Sequence, residues 1–115
     1  MIVQHKELAA GRWDEFRLIE QMAHVGSEVE RALNWKAKNN LERSAKAFDR
    51  ALELLDMTLG CPRNRPRLKE IARAREVCVD FFRGENQFDS SEDSLRKYFL
   101  QFACAARREF KSGPQ

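Results

Sequence analysis

The fold is decided by residues 41–59, which read LERSAKAFDRALELLDMTL. Apolar side chains recur there in alternating steps of four and three residues, which places them on one face of an α-helix. They are Leu41, Ala45, Phe48, Leu52, Leu55 and Leu59. Gly60 supplies a carboxyl-terminal cap, and Pro62 prevents the helix from continuing. The segment is therefore predicted to be a helix with one buried seam of the coiled-coil type.

Three further segments carry the same helical periodicity. The first covers about residues 13–38, where Gly26 interrupts the stripe and predicts close packing, a bend or a contact. The next covers about residues 66–83 and is opened by Pro66. The last covers about residues 91–110, where Ser90 and Asp93 approximate a capping box.

The links between the predicted helices are short: residues 39–40, 60–66 and 84–91. Short links favour antiparallel neighbours. We therefore predict one domain over residues 1–115, an all-α, antiparallel up-down-up-down four-helix bundle. The first helix would be about 37 Å long against about 27 Å for the others, at ~1.5 Å per residue. Its excess length predicts an overhang or a bend, and an overhang would present Trp13 or Trp35 to a partner.

The composition is that of a globular helical domain, with 43% hydrophobic and 34% charged residues. It excludes collagen-like, low-complexity and disordered chains. No run approaches the ~18 apolar residues of a membrane span, and the amino terminus lacks a secretory pattern. A cytoplasmic protein without membrane contact is expected. Cys61, Cys78 and Cys104 are expected to be reduced thiols, and Cys61, in an arginine-flanked loop, is the one to test for reactivity.

The net charge of +3 is unevenly distributed over the predicted bundle. One end gathers basic residues from the start of the first helix, the loop after the second and the end of the fourth. They are Arg12, Arg63, Arg65, Arg67, Lys69, Arg107, Arg108 and Lys111. Guanidinium groups and the amides of a helix amino terminus both bind phosphate. This end is a candidate anion or nucleic-acid site; the alternative is a solvated surface whose arginines offset a helix dipole.

Only His5 and His24 can take part in histidine chemistry. Glu20, His24 and Glu28 share one stripe of the first helix, for which a metal site and a ladder of surface ion pairs are the alternatives. The chain contains no Glu-x-x-His, phosphate-binding glycine loop, nucleophile elbow or zinc spacing. No metal, cofactor or catalytic function is therefore predicted.

Aromatic side chains concentrate in the third and fourth helices, in larger number than two buried stripes accommodate. The surplus predicts a contact surface for a protein partner or a second copy of the chain. The residues assigned to it are Trp35, Phe81, Phe88 and Tyr98. A homodimer or partner subunit is the leading prediction, and a nucleic-acid-binding module is the alternative.

Short motifs resemble two known families. Residues 44–54, SAKAFDRALEL, resemble the second helix of a tetratricopeptide repeat, although no second copy follows. The chain length, the four helices, the ERAL at residues 30–33 and the RALEL at residues 50–54 are similar to small HEPN-type bundles. That family includes ribonuclease toxins and helical partners of nucleotidyltransferases, so the resemblance implies an all-α bundle with a non-catalytic partner role.

The ribonuclease motif of the HEPN family pairs an arginine with a histidine, usually on a late helix. The late helices of this chain contain no histidine. Arg17 and His24, with six residues between them, fit the spacing on the first helix. The resemblance makes these two the candidate catalytic residues of a HEPN-like ribonuclease, a further alternative.

Overall fold

The computed structural model describes residues 11–111, with side chains as far as Arg108. Its four helices are α1 (Leu18–Ala37), α2 (Leu41–Leu59), α3 (Leu68–Arg83) and α4 (Glu92–Lys111). Two 3-10 turns, Arg12–Glu15 and Pro62–Arg67, precede α1 and α3. Residues 11–111 contain no strand, which confirms the predicted all-α four-helix bundle. None of these helices combines the length and apolarity that a membrane crossing requires.

The central helix of the bundle is α1, which packs against both α2 and α4, while α3 packs against α2. Arg96 of α4 donates to Glu30 of α1, and Gly26, earlier in α1, lies against Phe99, later in α4. These contacts fit antiparallel neighbours. The up-down-up-down order of the whole bundle stays a prediction.

The prediction that the first helix starts at about residue 13 is wrong, because α1 begins at Leu18. Phe16 and Arg17 have extended backbone, and the backbone N–H of Arg17 donates to Glu20 Oε1 (3.2 Å) to cap the helix. With 20 residues, α1 is about 30 Å long and matches α4 in residue count. The predicted overhang is therefore absent: Trp13 folds back into the core and is 1% exposed.

Gly26 marks close packing, one of the three alternatives that the sequence left open. A Cβ atom built on Gly26 would lie 2.8 Å from the Cβ atom of Phe99. Real side chains essentially never approach so closely. The absence of a side chain at this position therefore allows α4 to pack directly on the backbone of α1.

The boundaries of α2 agree with the prediction, but its buried face is shifted. Leu41 is 64% exposed and Ala45 is also exposed. The buried stripe consists of Ser44, Ala47, Phe48, Ala51, Leu54, Leu55 and Thr58. The shift arises because α2 has α1 on one side and α3 on the other. Ser44 lies on the side that faces α1, where its Oγ donates to the carbonyl of Ala32 (2.8 Å).

The starts of α3 and α4 differ slightly from the predicted positions. Pro66 lies in the preceding 3-10 turn and does not open α3, which begins at Leu68. The cap of α4 is formed one residue later than predicted. Ser91 Oγ accepts from the N–H of Ser94 (3.0 Å), and Ser94 Oγ accepts from the N–H of Ser91 (2.9 Å). This reciprocal pair replaces the predicted cap from Ser90 and Asp93.

Candidate functional site

A buried hydrogen-bond network holds the Pro62–Arg67 turn against the helices. Asn64, 3% exposed, donates through Nδ2 to Gln21 Oε1 (2.8 Å) and to the carbonyl of Thr58 (2.9 Å). Trp13 Nε1 donates to Thr58 Oγ1 (3.1 Å), and Gln21 Nε2 donates to the carbonyl of Trp13 (3.0 Å). These hydrogen bonds join the two 3-10 turns to α1 and to α2. Since an unpaired buried polar group is costly, this network favours one conformation of the turn.

The arginines of this turn lie on the protein surface. Arg63 Nη2 donates to the carbonyl of Asp14 (2.7 Å), which connects the two 3-10 turns. Arg65 makes no hydrogen bond or ion pair with the residues that the structure describes. Arg67 differs, because its Nε donates to Glu70 Oε2 (2.8 Å) and its charge is compensated.

The carboxyl end of α4 comes to the same end of the bundle. Ala103 of α4 and Ala23 of α1 line one cavity, a turn further toward the start of α1 than the Gly26–Phe99 contact. Continuing this register places Arg107 and Arg108, both exposed, beside the first turn of α1. We call the surface formed by Arg12, Arg63, Arg65, Lys69, Arg107 and Arg108 the basic end. The side chain of Lys111, also predicted to lie here, is outside the described residues.

The aromatic residues assigned to a partner surface lie in two places. Trp35 is partly buried beneath the guanidinium of Arg43, whose carbon is 4.7 Å from the ring centroid. Phe81 is also partly buried and carries Lys36 Nζ 5.3 Å above its ring. Both rings lie near the carboxyl end of α1 and are covered by a cation. Phe88 and Tyr98, in contrast, lie beside the gap between α3 and α4.

An apolar groove with a volume of about 220 Å³ separates α3 from α4. We call it the α3–α4 groove. Its walls are formed by Ala74, Val77, Cys78, Leu95, Tyr98 and Phe99, and its polar rim by Glu70, Arg73, Ser90 and Ser94. Burial raises the pKa of the Cys78 thiol and of the Tyr98 hydroxyl to about 12. The groove therefore disfavours charge and suits an apolar side chain.

Phe88 stands next to this groove with 42% of its surface exposed. The guanidinium carbon of Arg73, a residue of the groove rim, lies 4.8 Å from its ring centroid. The backbone amides of Gln87 and Phe88 donate to the carboxylate of Asp80 (2.7 and 2.9 Å). The loop around Phe88 is thus held by hydrogen bonds, and the exposed ring has a defined position.

The candidate catalytic residues have structural contacts. Arg17 is the capping residue of α1, and its Nε lies 3.6 Å from Glu20 Oε1. The imidazole of His24 packs against Phe16 and Trp13, with ring centroids 5.2 and 5.7 Å apart. Both residues thus contribute to the start of α1 and to its packing.

The predicted stripe of Glu20, His24 and Glu28 is not a continuous surface ladder. Glu28 is only 8% exposed and accepts from Arg31 (3.0 Å) and from Arg50 of α2 (2.9 Å). It therefore joins α1 to α2 through a shielded ion pair. Among residues 11–111, no three His, Cys, Asp or Glu side chains are grouped to hold a metal ion.

Cys61 was the cysteine selected from the sequence as the one to test for reactivity. It is 2% exposed at the start of the Pro62–Arg67 turn, so protein atoms separate its thiol from solvent. Cys78 is equally buried, whereas Cys104 is partly exposed. All three are free thiols.

No protein-family model, curated protein or solved structure matches the chain. The HEPN-type resemblance therefore stays a prediction. The function must be inferred from the residues of this chain.

The buried network is the part of the site that the periodicity did not predict. Gln21 and Thr58 are fully buried polar residues, and both lie on apolar helix faces. Gln21 precedes the buried Val25 by four residues, and Thr58 follows the buried Leu55 by three residues. A polar residue in register with an apolar stripe is the signal that could have identified them.

Proposed function

We propose that this chain is a non-enzymatic interaction protein that binds an apolar helix of a protein partner in the α3–α4 groove. The single observation that carries the proposal is the apolar groove with the exposed ring of Phe88 beside it. Exposed apolar surface costs free energy in water, and its burial is the main driving force of most protein association. The groove and Phe88 together offer both a recess and a projecting aromatic side chain.

Helix-in-groove binding is the recognition mode that fits this geometry. An amphipathic helix places apolar side chains three and four residues apart into such a recess. Glu70, which pairs with Arg67, and Arg73, which lies over Phe88, line the groove and offer hydrogen-bonding groups to the polar flanks of that helix. Because Asp80 already holds the loop of Phe88, little conformational entropy is lost when the partner binds.

The homodimer predicted from the sequence is a proposal of the same kind, with a second copy as the partner. Its cytoplasmic setting is also proposed and is supported by the three free cysteines, which persist in a reducing compartment. The structural contacts of Arg17 and His24 favour a non-catalytic role over the ribonuclease alternative.

The proposal is tested by replacing Phe88 with aspartate. Leu41→Asp is the matched control, because Leu41 is 64% exposed and does not line the groove. Both variants place a carboxylate where a large apolar side chain was exposed. Affinity capture from host lysate with nuclease, together with sedimentation of the purified protein, reports protein partners and self-association.

We expect Phe88→Asp to abolish a stoichiometric complex that Leu41→Asp retains, with both variants folded by circular dichroism. A second copy as partner would appear as a species of about twice 13.4 kDa. The proposal is wrong if Phe88→Asp retains the complex, or if both variants lose it equally.

A further inference from the structure

We infer a second interaction surface, independent of the groove: the basic end binds the phosphate backbone of a nucleic acid. The inference starts from which cations have intramolecular partners. Five residues of the basic end, Arg12, Arg65, Lys69, Arg107 and Arg108, make no ion pair, hydrogen bond or ring contact within the described part of the chain. Arg63 donates only to a backbone carbonyl, which leaves its positive charge uncompensated.

Most cations elsewhere in the described residues pair with a carboxylate. Arg83 with Asp49 and Arg75 with Asp56 are examples that join α3 to α2. Lys36, Lys38 and Arg43 contact only an aromatic ring, which does not neutralise their charge, and Lys97 has neither kind of contact within the described residues. Six of the ten described cations that lack a carboxylate partner therefore lie at the basic end. Such a concentration attracts a polyanion over distances of about one Debye length, roughly 8 Å at physiological ionic strength.

Carboxylates at this end offset only part of the charge. Asp14 and Glu15 are exposed in the first turn, whereas Glu20 and Glu70 already pair with Arg17 and Arg67. Within the described residues, six cations without a carboxylate partner therefore face two such carboxylates. The described part of this surface therefore carries a net positive charge, because each remaining ion pair at this end adds no net charge.

The three segments that supply the charges select a polymeric anion. The first segment is the Arg12–Glu15 turn. The second is the Pro62–Arg67 turn together with the start of α3, and the third is the end of α4. A nucleic-acid strand carries a phosphate at every nucleotide and can therefore contact cations from several segments at once. Five of the six cations are arginines, whose planar guanidinium groups bind phosphate through two parallel hydrogen bonds.

The scaffold of this surface is rigid, and it includes an exposed ring. The buried network of Asn64 fixes the turn that carries Arg63 and Arg65. The exposed imidazole of His24 packs on Phe16, directly after the first turn, and offers a face on which a base stacks. Contacts to phosphates with little readout of bases predict binding that is strong at low salt and tolerant of sequence.

The test compares two triple variants with the same net charge. Arg65→Gln, Arg107→Gln and Arg108→Gln remove three charges from the basic end. Lys38→Gln, Lys46→Gln and Lys97→Gln remove three exposed charges elsewhere, so each protein goes from +3 to 0. Fluorescence anisotropy measures binding of labelled single-stranded RNA and DNA of the same mixed sequence between 50 and 200 mM salt. Polyglutamate of matched charge represents an acidic protein.

If all six cations contact phosphates, the slope of log affinity against log salt is about −4 on a single strand, and affinity falls roughly 300-fold over this range. Removing three of these cations should reduce the slope of the basic-end variant from about −4 to about −2, while the slope of the control variant should stay at about −4. Binding to RNA, to DNA or to both supports the inference and identifies the polymer. Absent binding at 50 mM, a slope shallower than −1, equal weakening in both variants, or equal binding to polyglutamate would overturn it.

Discussion

The substitution Asn64→Ala tests whether the buried network stabilises the fold. It removes two hydrogen bonds, to Gln21 Oε1 and to the carbonyl of Thr58, each contributing about 1 kcal/mol. It also leaves the fully buried Gln21 oxygen without this donor, which costs about a further 1 kcal/mol. The expected loss in the free energy of unfolding is therefore about 3 kcal/mol. For a chain of this size, that lowers Tm by about 12 °C.

Urea unfolding followed by circular dichroism measures this loss, with Asn34→Ala as the control. Asn34 is exposed and accepts one hydrogen bond from Arg96 (3.2 Å), so its loss should cost no more than about 0.5 kcal/mol. Because Asn64 and Gln21 share a bond, the double variant with Gln21→Ala should cost less than the sum of the two single variants. Equal stability of the Asn64 and Asn34 variants would refute the structural role of the network.

Two further predictions concern the packing of α4 and the titration of the groove. Gly26→Ala should destabilise the protein by about 1 kcal/mol in urea unfolding, because overpacking against Phe99 outweighs the gain of about 1 kcal/mol in helix propensity; a more stable variant would contradict the close approach. Burial raises the pKa of Cys78 from 9.0 to about 12. As pH rises above 9, the thiol therefore loses its proton in the unfolded protein before it does so in the folded protein. The free energy of unfolding that this thiol contributes is fully present below pH 9 and should fall as pH rises toward 12. The slope is at most about 1.4 kcal/mol per pH unit for this one group. Unfolding measured between pH 9 and 10.5 should show a shallower decline in Cys78→Ala, and identical slopes would count against burial of the thiol.

The elements that were predicted well are those with local signals. The bounds of α2 follow from its periodicity and from Gly60 and Pro62, which act within a few residues. The bend before α1 has no comparable signal, because Trp13 and Phe16 continue the apolar spacing of the helix. The bond from Trp13 to Thr58, 45 residues away, favours the bent conformation over a continuous helix. A nonlocal contact of this kind cannot be read from periodicity.

The candidate sites show the same division between local and nonlocal information. The sequence identifies the arginines of the basic end, and the pairing of Arg67 with Glu70 three residues later is a local pattern. It does not reveal that Arg83 reaches Asp49 on another helix, so it cannot tell compensated from uncompensated charge. The α3–α4 groove depends on the spacing of two helices, which no single-helix pattern specifies.

Site-specific photo-crosslinking tests the central claim, that the α3–α4 groove is the protein-binding surface, most directly. A benzophenone amino acid would replace Phe88 in one sample and Leu41 in another, and mass spectrometry would locate the crosslinked peptide. We predict a covalent adduct from position 88, mapped to an apolar helix of a second copy or of another protein, and none from position 41. Adducts from position 41 alone, or from both positions equally, would contradict the account.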